Sequence, residues 1–257
     1  MPRTLARRLL CTPPGGAAEA IGGWLARHPD APVAAAPLDS GWMVYPGPGS
    51  AWGGCSGVGL DGSVSDDVFA RLDAFFGPRA HAPMVLVCPY AHASLVDGLA
   101  DHGFHARRFR QTMWRPATTL EPCIPDGVLI REEHAVEVIA RGFADGADPT
   151  EHDLLVERIF DASPSSRTLV AYRDGRAVGG GRVAIADGLA VCFGASVLPE
   201  ARRQGIHDAL LRARMNLAAA SGCDTVVVEG SPGGATERNA LRLGFSLAFT
   251  QVIFRRP

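Results

Sequence analysis

The turn Arg202-Arg-Gln-Gly-Ile-His207 holds the residues of this chain best suited to chemistry. Leu189 to Val197 reads as a buried strand, Pro199 and Glu200 break it, and Ile206, Leu210, Ala213 and Leu217 recur at helical spacing. Gly205 carries no side chain, so backbone N–H groups can close on a ligand beside the unpaired amides of the first helical turn. The helix dipole and the charges of Arg202 and Arg203 favour an anion, and a diphosphate would satisfy donors that the fold leaves open. Taken alone, the same residues fit an ordinary surface helix start with two solvated arginines equally well, because a short basic turn with one glycine is a weak motif.

Other constellations are absent from the sequence pattern. The eight histidines show no metal-ligand spacing, and no metal is expected. Ser196 and Cys192 have no identifiable histidine partner, so covalent catalysis is not expected either. The six cysteines are dispersed without a C-x-x-C pair and read as reduced thiols of a cytoplasmic protein.

The elements that position the turn are legible around it. A strand is expected at Val128 to Arg131, with helices at Ala135 to Phe143 and His152 to Phe160. Thr168 to Tyr172 should turn through Asp174-Gly175 into Ala177 to Ala186, and Asp187-Gly188 should turn again into Leu189 to Val197. The turn and its helix are then followed by a β-run at Thr225 to Val228, a helix and a closing Arg242-Leu-Gly-Phe245. The fold class is α/β with a mixed sheet. Val197-x-Pro-Glu-x-Arg-Arg-Gln-Gly-Ile-His207 with these flanking elements resembles the GNAT superfamily of acyl-CoA-dependent N-acyltransferases, over roughly residues 127–257. Of the family's turn pattern, Arg/Gln-x-x-Gly-x-Gly/Ala, Arg202 and Gly205 match, while His207 stands where Gly or Ala is usual.

The resemblance implies acetyl-CoA as co-substrate, with its diphosphate on the backbone and side chains of Arg202, Arg203, Gln204, Gly205, Ile206 and His207. It also implies pantetheine amides on the strand edge at Ala195 and Val197, and a backbone N–H near Val197 that polarises the thioester carbonyl. Asn239 resembles a family asparagine that bonds the pantetheine arm or orients the thiol region; a solvated helix residue or local cap is its structural alternative. The family's tyrosine acid falls on Ala240 here, so no general acid is assigned and direct loss of thiolate is expected. An amine with a pKa of about 10 must lose a proton before or during attack. Glu229 could take it, directly or through water, or could instead pair with Arg238. For His207 a surface or phosphate contact is the simpler reading than catalysis.

The first half repeats the second in outline. Shifted by 141 positions, Met84-Val-Leu-Val87 falls on Thr225-Val-Val-Val228, Gly103-Phe104 on Gly244-Phe245 and Arg115-Pro116 on Arg256-Pro257. The shift also sets Asp61 and Asp66 opposite Arg202 and His207, so this copy should hold no diphosphate. Helices are expected at Ala17 to His28, after Ser65, and at Ser94 to His102; strands are expected at Gly41 to Tyr45, near Gly57 to Leu60, at Met84 to Val87 and at Phe104 to Trp114. Pro29 to Pro37 reads as a break, and the prolines of Arg115 to Pro125 read as a linker. The expected organisation is two tandem copies of the GNAT acyl-CoA N-acyltransferase fold. A degenerate, incomplete copy spans 1–117, a linker 118–125 and a catalytic copy 126–257. The first should bury its sheet against the second.

At 257 residues, 47% of them hydrophobic, the chain can bury a substantial core. A net charge of −2 provides no general field for nucleic acid or membrane, and neither is an expected partner. The acceptor is expected to be a small-molecule amine, amino-acid-like or otherwise, with a protein amine as the alternative, on a monomer or homodimer. Two functions fit these residues: an acetyl-CoA-dependent N-acetyltransferase working by direct attack on the thioester, or a non-catalytic acyl-CoA-binding or sensor protein.

Overall fold

The computed structural model describes residues 2–11, 13–50 and 52–256. The first half carries α1 (Pro2–Leu10), α2 (Ala17–Leu25), β1 (Ala34–Leu38), β2 (Gly41–Tyr45), β3 (Gly54–Ser56), α3 (Asp66–Phe76), β4 (Met84–Val87), α4 (Ala93–Asp101) and β5 (His105–Pro116). The second carries β6 (Val128–Glu132), α5 (Val136–Phe143), α6 (Glu151–Asp161), β7 (Ser166–Arg173), β8 (Arg176–Ala186), β9 (Leu189–Val197), α7 (Ile206–Ala220), β10 (Thr225–Gly230), α8 (Ala235–Arg242) and β11 (Ser246–Arg255). Asp174-Gly175 and Asp187-Gly188 take left-handed φ values of 50°, 74°, 48° and 73°, which folds β7, β8 and β9 into an antiparallel meander.

The strands form one mixed sheet in the order β1-β2-β3-β4-β11-β5-β10-β9-β8-β7-β6. Its centre is an exchange of closing strands. β5, from the first half, pairs antiparallel with β10 of the second, from Thr225 opposite Pro116 to Gly230 opposite Gln111. β11, from the second half, pairs antiparallel with β4 and with β5. The halves therefore meet edge to edge within one sheet, and the expectation of two sheets buried against each other is corrected. An open strand edge offers unpaired N–H and C=O groups, and the exchange satisfies them on both sides of the boundary.

The repeat survives in three dimensions: the 141-residue shift carries α3 onto α7, β4 onto β10, α4 onto α8 and β5 onto β11. Gly103 and Gly244 take φ values of 73° and 79°, and the phenylalanines that come next are buried in their respective cores. Pro257, the counterpart of Pro116, lies outside the described residues. α7 and α8 cover one face of the sheet through Leu211, Met215 and Ala240 against Val226 and Val228. α1 covers the other through Leu5, Leu9 and Leu10 against Leu189, Val227 and Phe249. Alternate residues of β10 thus serve opposite layers.

Three local expectations are corrected. The strand placed near Gly57 to Leu60 lies earlier, at β3, because Gly57 and Gly59 turn the chain with φ values of 82° and 76°. The break at Pro29 to Pro37 contains β1, an edge strand that tolerates Pro37 and is ordered by pairing with β2. Ser65 precedes α3 but makes no side-chain cap bond, and Asp66 and Asp67 supply the first-turn charge instead. The linker is a strap along α7: Asn216 bonds both the N–H (2.7 Å) and the C=O (2.9 Å) of Leu120, and Pro125 abuts Gly205.

A chain beginning at Asp126 would leave β10 and β11 without the strand between them. The expected outcome is loss of the cooperative melt seen by circular dichroism for the whole chain, whereas a melt like that of the whole chain would show that β5 is dispensable.

Candidate active site

β9 and β10 run parallel and paired from Leu189 opposite Thr225 to Cys192 opposite Val228. Beyond that point β9 continues through Phe193 to Val197 without a β10 partner. The divergence has a local cause. The β8–β9 register shifts between Gly180 and Arg182, and Gly194 takes a left-handed φ of 55°. Into this bulge α7 sends Arg214, which is fully buried and donates to the carbonyls of Leu210 (3.0 Å), Arg182 (3.2 Å) and Phe193 (3.4 Å). Burial lowers its pKa, and a Cβ on Gly181 would come within 3.0 Å of its guanidinium carbon. The strand end carrying Ala195 and Val197 is thereby turned away from β10, leaving an open edge.

At the end of that edge sits the basic turn. Gly205, at φ 78°, is the residue before the first turn of α7, and Arg203 is also left-handed at 59°. The two arginines differ in what holds them. Arg202 donates from Nε to the Val197 carbonyl (3.0 Å) and from Nη2 to the Gly142 carbonyl (3.0 Å), and it pairs with Asp145. It binds the turn to β9 and α5. Arg203 is exposed and, among the described residues, has no hydrogen-bond or ion-pair partner. Gln204 donates to the Glu200 carbonyl at 2.9 Å, and Ile206 is buried under the turn in the cluster with Val197 and Leu210.

His207 is half-buried, and its Nδ1 lies 2.7 Å from Nδ2 of Asn239, so the ring accepts from the amide and joins α7 to α8. The other end of the Asn239 amide accepts from Arg242. Desolvation, reinforced by the charge of Arg214 and opposed by that of Asp208, pushes the His207 pKa down to about 4.

On the opposite face from α7, a cavity of about 1040 Å³ lies between the two halves. Glu229, the first β10 residue beyond the parallel pairing, reaches it. Its Oε1 accepts from Thr112 Oγ1 (3.0 Å) and Gln251 Nε2 (2.8 Å), and its Oε2 lies 3.4 Å from Arg110. The sequence alternative of a Glu229–Arg238 pair is corrected: Arg238 bonds the Gly233 carbonyl, and the cation at Glu229 is Arg110. Thr112 and Gln251 are fully buried, and sequence reasoning missed them. Their relation to Glu229 arises from the strand exchange, which no local pattern encodes. A buried ion pair, Arg182 with Glu157, forms part of the wall; burial raises the Glu157 pKa against the opposing charge of Arg182. Ser196 donates to the Ile139 carbonyl at 2.8 Å, and burial raises the thiol pKa of Cys192. Neither is arranged as a nucleophile. Among the described residues, no group of three His, Cys, Asp or Glu could hold a metal ion, and no helix is long and apolar enough to cross a membrane.

Residues 134–245 match the family model of the acetyltransferase (GNAT) family. The chain carries a GNAT domain. Its fold is similar over nearly all its length to that of a GCN5-related N-acetyltransferase from Kribbella flavida, at TM-score 0.63, 19% identity, and 94% and 95% coverage of this chain and that one. A tandem GNAT protein from the clavulanic acid biosynthesis pathway is similar at TM-score 0.63, 12% identity, and 95% and 96% coverage. A GCN5-related N-acetyltransferase from Sphaerobacter thermophilus gives TM-score 0.58 at 17% identity, with 74% and 67% coverage. No curated protein matches the chain. At these identities the structures speak for the tandem GNAT fold, and the family assignment speaks for acyl transfer in general.

The depressed pKa of His207 makes stability depend on pH. The unfolded chain, with this ring near its ordinary 6.5, binds a proton more readily than the folded one between pH 6.5 and about 4. Stability is complete above that window and falls as pH drops through it, by on the order of 3 kcal/mol. His207→Gln should flatten this part of a plot of urea midpoint against pH. An unchanged slope would show that the ring titrates as it does in the unfolded chain.

Proposed function

We propose that this protein is an acetyl-CoA-dependent N-acetyltransferase, with acyl-CoA bound by the second half and a small-molecule amine admitted to the cavity between the halves. The observation that carries the reading is the divergence of β9 from β10. It leaves an open strand edge at Ala195 and Val197, with the exposed residues of the 202–205 turn at one end and Glu229 at the cavity. An extended amide-bearing arm can add to such an edge, and a diphosphate fits the turn. The residues present thus suit CoA, whose bound thioester would supply the activated acyl group.

In this reading the amine nitrogen attacks the thioester carbonyl and the C–S bond breaks, leaving CoA thiolate. The amine proton passes to Glu229, directly or through a water. Thr112 and Gln251 fix Oε1, and Oε2, 3.4 Å from Arg110, is the oxygen left to take the proton. Arg203 is the side chain free to approach the diphosphate, and Arg202 acts by holding the turn. One CoA per chain is expected. In the first half, β3 ends at Ser56, directly after its pairing of Gly54 and Cys55 with β4, so it has no diverging edge, and Asp61 is paired with Arg7.

The alternative, an acyl-CoA-binding protein without turnover, is favoured by one observation: the position of the family's tyrosine acid is Ala240, which is fully buried. One measurement tests the CoA site that both readings share, and a second separates them. Arg203→Glu should weaken CoA binding by calorimetry about ten- to hundredfold, while Arg173→Glu leaves it unchanged. Glu229→Gln should lower the rate of thiol release with an acceptor amine about a hundredfold at unchanged CoA affinity. Tight CoA binding with no acylated product across an amine panel would decide for the binding protein.

A further inference from the structure

The wall of the interhalf cavity has a chemical character that the acyl-transfer reading does not require. Trp52 stacks on Phe160 with ring centroids 5.4 Å apart at 24°, and Phe160 meets Phe193 edge-on at 5.6 Å. Trp52 comes from the first half, Phe160 from α6 and Phe193 from β9, so a single aromatic wall crosses the boundary between the halves. Phe193 is the first β9 residue beyond the last β9–β10 pair, as Glu229 is on β10. The end of the aromatic wall and the carboxylate therefore occupy the same register position, where the strands separate.

The charges of the cavity wall are already committed. Arg182 holds Glu157, and Arg110 lies against Glu229. Glu19 accepts from Ser163 (3.1 Å), from the Ser165 N–H (2.9 Å) and from the Gly15 N–H (2.8 Å), while Asp153 caps its own helix with Thr150. An acceptor bearing a carboxylate would find Arg110 beside Glu229 and both terminal nitrogens of Arg182 held by Glu157; the Nε of Arg182, which has no hydrogen-bond partner, is buried. A polyamine would find the carboxylates of Glu19, Asp153, Glu157 and Glu229 each already bonded to a neighbour through at least one oxygen. A flat apolar body, by contrast, gains area against the rings at no cost in unpaired charge.

Resting on the assignment of this cavity as the acceptor site, we infer that the acceptor is a primary amine carried on an aromatic, otherwise uncharged body. Its ring lies on the Trp52–Phe160–Phe193 wall and its nitrogen points to Glu229. The cavity is at the upper end of the sizes that enclose a small organic ligand, so a two-ring body fits beside the acyl group.

The test uses the full chain with acetyl-CoA and three probes, tryptamine, spermidine and lysine, tracking acetylated product by mass spectrometry. Tryptamine should give a kcat/KM at least tenfold above either of the others. Trp52→Ala should lower the tryptamine value about tenfold while leaving the KM for acetyl-CoA unchanged. Spermidine or lysine turned over as well as tryptamine would overturn the inference and leave the acetyltransferase reading standing. Should no amine be acetylated, calorimetry with tryptamine alone separates the two claims. Binding that Trp52→Ala weakens upholds the ligand class although the transferase reading fails, and no binding at millimolar tryptamine overturns the class. Phe160→Leu, which keeps an apolar side chain against Ile159 and Ile21, provides a second variant if Trp52→Ala does not fold; it should lower the tryptamine value in the same direction.

Discussion

The backbone ladder between β5 and β10 is the interaction on which the site depends. Over Thr225 to Val228, β10 is bonded on both edges, to β9 and to β5. At Glu229 and Gly230 the β5 edge alone remains, opposite Thr112 and Gln111. β9 can therefore leave without stranding the end of β10, because the strand from the other half continues to hold it. Opposite residues of an antiparallel pair share a face. That is why Thr112 stands beside Glu229, and why Gln251, on the neighbouring β11, completes the cradle. The same ladder that joins the halves thus sets the position of the carboxylate.

Much of this was legible in the sequence where the cause is local. The meander of β7, β8 and β9 arises from two Asp-Gly turns and apolar runs, and β9 falls at the residues expected for it. The repeat was legible because a helix-ending glycine and a buried phenylalanine must keep their spacing. The exchange of closing strands was not, since an exchanged arrangement and two separate sheets satisfy the same alternation of residues. Everything that depends on the exchange was hidden with it: Thr112 and Gln251 at Glu229, Arg110 in place of Arg238, and a cavity lined from both halves. The roles of the two arginines were hidden for another reason. Arg202 and Arg203 are equivalent in composition, and the Val197 and Gly142 carbonyls with Asp145, contributed by β9, α5 and the segment after it, distinguish the anchor from the exposed charge.

The asymmetry between the halves originates just beyond a short parallel strand pair. In the second half, Gly181 makes room for Arg214, whose bonds to the Arg182 and Phe193 carbonyls span the bulge, and Gly194 makes room for Arg182. A buried guanidinium is costly unless its donors are met, and the carbonyls of Arg182 and Phe193, beside the bulge, supply acceptors. The bulge and the arginine therefore stabilise each other. In the first half, the 141-residue shift sets Asp73 opposite Arg214. Asp73 is exposed and pairs with Arg256, so no cation enters the sheet there, and β3 ends within one residue of its pairing with β4.

The hydrogen bond between His207 and Asn239 bears on where cofactor affinity can come from. Both ends of the Asn239 amide are satisfied in the structure, by His207 and Arg242. An arm that bonded Asn239 would exchange one hydrogen bond for another, and such exchanges contribute about 1 kcal/mol or less net. Freed from Asn239, the half-buried His207 ring would need a new donor or water for its Nδ1, which subtracts further. The exposed turn has no such prior commitment: Arg203 and the first amides of α7 give up only solvent. On the proposed reading, the free energy of holding CoA would therefore concentrate at the diphosphate end, and an Asn239 contact would choose the path of the arm more than tighten its grip.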